Sequence, residues 1–178
     1  EATLRRGLQQ LVEAEFLYQQ GVPPQATYLF KHALIQETAY QSLLRSIRQQ
    51  HHQHIAQVME ARFPQLCETQ PEVLAHHYTE AGVLEQAIPY WQRAGQRAIE
   101  RSANLEAIEH LTRGLDVLKT LPDTPKRAQQ ELDLQITLGP ALIVTKGWSA
   151  PEVEKAYTRA RELCQQVGET SQLLPVLW

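Results

Sequence analysis

Five of the seven histidines are the residues in this 178-residue chain that come nearest to a chemical site. His51, His52 and His54 form one group, and His76 and His77 form a second. Imidazole nitrogens are common zinc ligands, so the five are a candidate metal site. Adjacent residues on a helix point about 100° apart, however, and no cysteine or carboxylate stands at a confirming spacing. We therefore interpret them as a solvent-facing helical surface and predict no metal.

Serine and cysteine residues lack the surroundings that would make them nucleophiles. No serine lies in a Gly-x-Ser-x-Gly turn, and Ser149 is better placed to cap a helix. Cys67 and Cys164 lie far apart in no metal-ligand spacing, which favours a reduced, cytoplasmic setting. The chain also has no Gly-x-x-x-x-Gly-Lys-Ser/Thr phosphate loop. We predict a non-enzymatic chain with no catalytic residue and no cofactor.

The composition and the net charge restrict the classes of partner that the chain is expected to bind. The 17 basic and 20 acidic residues give a net charge of −3, whereas nucleic-acid surfaces show a basic excess. The charge balance therefore disfavours a nucleic-acid partner. No apolar run is long enough to cross a bilayer, so we expect no membrane partner either.

Apolar residues recur at helical spacing between start and stop signals, as they do from Leu105 to Leu118. Helices are predicted near 2–13, 32–45, 47–62, 71–81, 85–101, 104–120, 125–143, 150–167 and from 171 onward. Capping boxes are predicted at Thr69-Gln-Pro-Glu72 and Ser149-Ala-Pro-Glu152, and a further helix start at Thr124. Left-handed C-caps are expected at Gly82, Gly147 and Gly168.

One stretch near the N-terminus departs from this pattern. Residues 15–18 and 28–31 are short and aromatic, and the run Gly21-Val-Pro-Pro24 between them cannot continue a helix. We predict a small β-hairpin there.

Three helices share a triplet typical of the second helix of a tetratricopeptide unit, which contains two antiparallel helices in about 34 residues. The triplets are Leu74/Tyr78/Ala81, Ala107/Leu111/Gly114 and Val153/Tyr157/Ala160. Matching first-helix signatures are Trp91/Ala94/Gly95/Ala98 and Leu138/Gly139/Leu142. The sequence thus predicts an all-α fold of antiparallel, tetratricopeptide-like helix pairs (an α-α superhelix) with a small β-hairpin near the N-terminus.

The register of these units is imperfect. The intervals are 33 residues from Leu74 to Ala107 and 46 from Ala107 to Val153, so the helices around 122–143 must be longer than usual. An overlapping register, with a second-helix triplet of Ala87, Trp91 and Ala94, remains open, as does a generic helical array without true repeats.

The segment from Phe30 to Leu44, FKHALIQETAYQSLL, followed by Arg48 and residues 51–55, resembles a junction in STAND-class bacterial signalling ATPases. In that family a winged-helix domain ends in a β-hairpin and this helix, and a tetratricopeptide-like array follows. Many members are fused to class III adenylate or guanylate cyclase, protein kinase or LuxR-type domains. The strings at 90–98, 102–108 and 156–163 are similar to that array.

This resemblance implies the C-terminal part of a winged-helix-like domain at residues 1–45 and a tetratricopeptide-like repeat domain at 46–178. It implies a regulatory module of a larger cytoplasmic signalling ATPase or nucleotide cyclase, binding a protein, a peptide or other domains of the same chain. The alternative is the sensor segment of a transcription regulator whose winged helix contacts DNA. The family's ATP-binding residues have no counterpart here.

In such an array the first helix of each pair lines the concave surface. With the first-helix signature at residues 91–98, the predicted partner-binding residues are Gln92, Gln96 and Ile99. An amide both donates and accepts, so two of them beside one apolar side chain suit an extended backbone.

Overall fold

The computed structural model describes residues 2–23 and 25–168. Within those residues the chain forms nine helices and one two-stranded sheet. The helices are α1 (Ala2–Glu13), α2 (Ala33–Ser42), α3 (Arg45–Arg62), α4 (Pro64–Thr69), α5 (Pro71–Ala81), α6 (Leu84–Glu100), α7 (Asn104–Lys119), α8 (Pro125–Lys146) and α9 (Pro151–Val167). The strands are β1 (Leu17–Gln20) and β2 (Thr27–Phe30). The predicted helical fold class and its small N-terminal hairpin are confirmed, and the helix expected from 171 onward lies outside the described residues.

The chain divides into two compact units between Arg48 and Gln49. In the first unit, β1 pairs antiparallel with β2, with Leu17 opposite Phe30 and Gln20 opposite Thr27. Helix α1 packs on β1, and α2 packs on β2. The winged-helix identity of this unit stays a prediction.

In the second unit, helices α5 to α9 pack in chain order, each on the next, and α6 also packs on α8. Gly95 lies against Leu111, and Trp91 lies against Gly114, which shows that α6 and α7 run antiparallel. A first apolar cluster includes Leu74, Tyr78 and Leu134. A second joins α8 to α9 through side chains that include Leu132 and Leu163.

Proline starts the helices where expected, but the two capping boxes are wrong. Thr69 ends α4, a helix that the sequence did not predict, and its hydroxyl donates to the carbonyl of Gln65 at 2.9 Å. The N-cap position of α5 falls on Gln70, one residue after Thr69, and no side chain caps that helix. Before α9 the N-cap position falls on Ala150, one residue after Ser149, where no side chain can accept.

Other predicted helix ends agree with the structure. Thr124 caps α8, since the backbone N–H of Arg127 donates to its hydroxyl at 3.2 Å. Gly82 and Gly168 both take the left-handed conformation that follows many helices. Gly147 has φ 85° and ψ 160°, which is outside that region, so the prediction of a left-handed cap there is wrong. None of the helices in the described part of the chain is long and apolar enough to span a membrane.

Candidate functional site

A cleft of about 800 Å³ lies between α7, α8 and α9 in the second unit. Helices α7 and α9 each pack on α8 but not closely on each other, which leaves the cleft between them along α8. The buried side chains that line the cleft are apolar: Leu115, Leu138, Leu142 and Ala156 among them. An apolar lining of this size is typical of a binding site for a ligand or a peptide.

The cleft follows the length of α8. This helix lines it with residues 127, 131, 135, 138 and 142, which share one helical face. The fifteen helical steps from residue 127 to residue 142, at 1.5 Å each, make the cleft about 22 Å long. Thr112 of α7 and Thr158 of α9 are exposed on its opposite walls, and Gln135 adds an amide from α8.

One end of the cleft is fixed by an ion-pair network. Arg159 donates from Nε and Nη2 to the two oxygens of Glu131, at 2.6 and 3.1 Å, and from Nη1 to Glu162 at 3.1 Å. These hydrogen bonds, above all those to Glu131, raise the pKa of the Arg159 guanidinium. Glu131 is only 13% exposed and also lies 3.7 Å from Nη2 of Arg127. A bidentate pair of this kind holds α8 and α9 in a defined geometry.

Charges around the cleft balance. Its lining contains four basic side chains, Lys119, Arg127, Lys155 and Arg159, and four acidic ones, Glu131, Glu152, Glu154 and Glu162. The balance disfavours a highly charged occupant such as a nucleic acid. Arg127 Nε is buried without an acceptor among the described residues.

The partner-binding residues predicted from sequence lie elsewhere, on α6. Gln96 is exposed, Gln92 is half-buried, and Ile99 is half-buried against the apolar core. None of the three lines the cleft. The cleft was not predicted from the sequence. The one indication of it was the long interval of 46 residues between Ala107 and Val153. That interval correctly predicted a longer helix here, since α8 has 22 residues.

The structure brings together three of the five histidines. His52 Nδ1 of α3 lies 2.8 Å from His77 Nδ1 of α5, and the His76 ring centroid lies 5.8 Å from each of the other two. Interpreting all five as solvent-facing is wrong for His52, which α5 covers to 9% exposure. Within the described ranges, no group of three or more His, Cys, Asp or Glu side chains is arranged to hold a metal.

A carboxylate that accepts hydrogen bonds from two tyrosines lies on α3, eight residues after His52. The hydroxyls of Tyr78 and Tyr90 donate to Oε2 and Oε1 of Glu60, each at 2.5 Å, and the two rings stack. Burial, reinforced by these hydrogen bonds, raises the pKa of Tyr90 to about 12 and that of Tyr78 further. Glu60 thereby joins α3 to both α5 and α6, a role that the sequence did not reveal.

The cysteines have surroundings that suit packing. Cys67 and Cys164 are both buried and lie in different apolar clusters, so they do not pair with each other. Burial raises the pKa of the Cys67 thiol, which disfavours the nucleophilic thiolate.

Comparison with known proteins finds a similar sequence. The chain is 31% identical over 180 residues to an uncharacterized protein of Rhizobium meliloti (strain 1021). The match covers all of this chain and 18% of that protein, so the chain spans less than a fifth of the curated relative's length. No protein-family model and no solved structure matches the chain.

Proposed function

We propose that the chain is a non-catalytic protein-interaction and regulatory module, and that its cleft between α7, α8 and α9 holds an extended segment of a partner. The partner is another protein or another domain of the same protein. The observation that carries this proposal is the cleft, because it combines an apolar lining, polar walls and balanced charge over the length of one helix.

The dimensions of the cleft favour an extended peptide. At about 3.3 Å per residue, a cleft about 22 Å long accommodates six or seven residues. Alternate side chains of such a segment would pack against Leu138, Leu142 and Ala156. Its backbone would meet the hydroxyls of Thr112 and Thr158 and the amide of Gln135, which donate and accept hydrogen bonds.

The sequence resemblance supports a wider context for this module. We propose that it regulates a larger bacterial signalling ATPase or nucleotide cyclase in the cytoplasm, as the FKHALIQETAYQSLL string and the tetratricopeptide-like triplets suggest. Two buried cysteines in separate clusters fit a reducing compartment. We expect the chain itself to bind no ATP in calorimetry, and micromolar ATP affinity would contradict a purely regulatory role.

The proposal is tested by selecting peptides from a random displayed library against the 178-residue chain. The position of a selected peptide is then mapped by hydrogen exchange with and without it. We expect slower exchange in α7, α8 and α9, with α6 unchanged. Failure to select any peptide would overturn the proposal. Protection confined to α6 would instead support the surface of Gln92, Gln96 and Ile99.

A further inference from the structure

A hydrogen bond between two histidine rings connects α3 to α5. The Nδ1 atoms of His52 and His77 lie 2.8 Å apart, and the ring centroids lie 5.0 Å apart. Such a bond needs a hydrogen on one nitrogen and a lone pair on the other. In the neutral pair, one ring therefore carries its hydrogen on Nδ1 and the other carries it on Nε2.

This arrangement accepts one proton but not two. The first can bind Nε2 of the donor ring, which then donates the same hydrogen bond as an imidazolium, and a charged donor strengthens it. The second must bind Nδ1 of the acceptor ring. Two N–H groups would then point at each other across 2.8 Å, between two positive rings. The doubly protonated pair cannot keep the bond.

The rings that lie against His77, within the described residues, are themselves histidines. From α3 the titratable group facing His77 is His52, and from α5 itself it is His76, with Glu80 one turn further along. Burial lowers the pKa of His77, and the charges of His52 and His76 lower it further. No charge from α4 or α6, within the residues described, acts appreciably on the His77 ring.

We propose that the His52–His77 pair makes the attachment of α3 to α5 sensitive to protons, with the bond kept by the neutral and singly protonated pair and lost when both rings are charged. Helix α3 begins in the first compact unit and continues into the second. Acidification therefore loosens the attachment of α3 to α5 within the second unit, where both rings lie.

The sign of the effect follows from proton linkage. The pKa of His77 is lower in the folded chain than its ordinary value of 6.5, so the unfolded chain binds more protons in mildly acidic solution. Stability then rises with pH between the folded pKa and 6.5, and it is lost as the pH falls through that window.

Nuclear magnetic resonance of the histidine ring nitrogens over a pH titration tests the bond directly. At neutral pH we expect one ring of the pair protonated on Nδ1 and the other on Nε2. On acidification, His52 and His77 should titrate in two separate steps, the second well below the ordinary value. Identical tautomers, or a single shared step near the ordinary value, would overturn the proposal.

A variant pair tests the consequence for stability. In His52→Asn the amide can take the place of Nδ1 and either donate or accept without titrating. His54→Asn is the matched control, because His54 is an exposed ring on the same helix. Between about pH 7.5 and about pH 5, the unfolding constant of the wild type should rise more than that of His52→Asn. The extra rise should be about tenfold for each unit by which the pKa of His77 in the folded chain lies below its value in the unfolded chain.

The control should behave like the wild type. If His52→Asn does not fold, His77→Asn provides the same comparison from α5. An equal pH dependence of the wild type and the folded pair variant would show that the rings are merely packed together.

Discussion

Gly95 of α6 lies directly beneath Leu111 of α7, so closely that a Cβ atom on the glycine would come within 2.4 Å of the leucine Cγ. Gly139 of α8 lies in the same way beneath Tyr157 of α9, where a Cβ atom would come within 2.5 Å of Cζ. Two successive helix pairs, α6–α7 and α8–α9, therefore use the same contact between a first-helix glycine and a bulky second-helix residue. This equivalence supports a repeat with its register at these glycines.

Adding a methyl group at either glycine should destabilise the chain. We expect Gly95→Ala and Gly139→Ala each to lose about 1–3 kcal/mol, because the facing side chain must move out of a packed core. Gly7→Ala is the matched control, since Gly7 is helical and has nothing within 4 Å of the added atom. It should gain about 0.5–1 kcal/mol from helix propensity alone. Urea unfolding measures all three, and unchanged midpoints for the first two would contradict the close approach.

Trp91 should be a major contributor to stability. It is 2% exposed, and its indole N–H donates to the Thr79 hydroxyl at 3.1 Å. We expect Trp91→Ala to cost about 3–5 kcal/mol through the cavity that it leaves. Trp148, which is 69% exposed, provides the control, and its replacement by alanine should cost less than about 0.5 kcal/mol. Similar losses in the two variants, measured by thermal or denaturant melting, would show that Trp91 does not hold the helices together.

The hydrogen bonds from Tyr78 and Tyr90 to Glu60 should make the stability of the chain decrease in alkaline solution. The pKa of each phenol is raised above its ordinary value of 10.0 in the folded chain, so the stability that they add is complete below that value. It should decline as the pH rises from 10.0 toward the raised pKa of Tyr90 at about 12.

The double variant Tyr78→Phe/Tyr90→Phe should show a smaller decline than the wild type over this range. Tyr18→Phe is the control, because Tyr18 is exposed and far along the chain from Glu60. Denaturant melts at a series of alkaline pH values give the comparison. Parallel curves for the double variant and the wild type would show that folding does not raise the pKa values of the two phenols.

Helices whose start and stop signals lie in adjacent residues of the sequence are predicted well. Helix α5 was expected at 71–81 and is found at Pro71–Ala81, because a proline start and a glycine stop are local signals. Helix α4 was missed, since its six residues are too few to show a helical period. The failed capping boxes have a similar origin, because a shift of one residue decides which side chain reaches the first turn.

The sites depend on contacts between distant residues and could not be predicted in this way. Glu60 meets Tyr90 across 30 positions, and His52 meets His77 across 25. Thr112 and Thr158 on the cleft walls come from helices that both pack on α8 but not closely on each other. The apolar period identifies which face of each helix is buried, but it does not tell how far apart two such helices lie.

The binding of one library-selected peptide, measured by calorimetry on three single variants, tests the proposed function most directly. Thr112→Arg and Thr158→Arg fill the cleft from its opposite exposed walls, whereas Gln96→Arg places the same side chain on exposed α6 surface. We predict at least tenfold weaker binding, or about 1.4 kcal/mol, for each cleft variant, with no change for Gln96→Arg. Unchanged affinity in both cleft variants, with lost affinity in Gln96→Arg, would contradict the cleft as the partner-binding site.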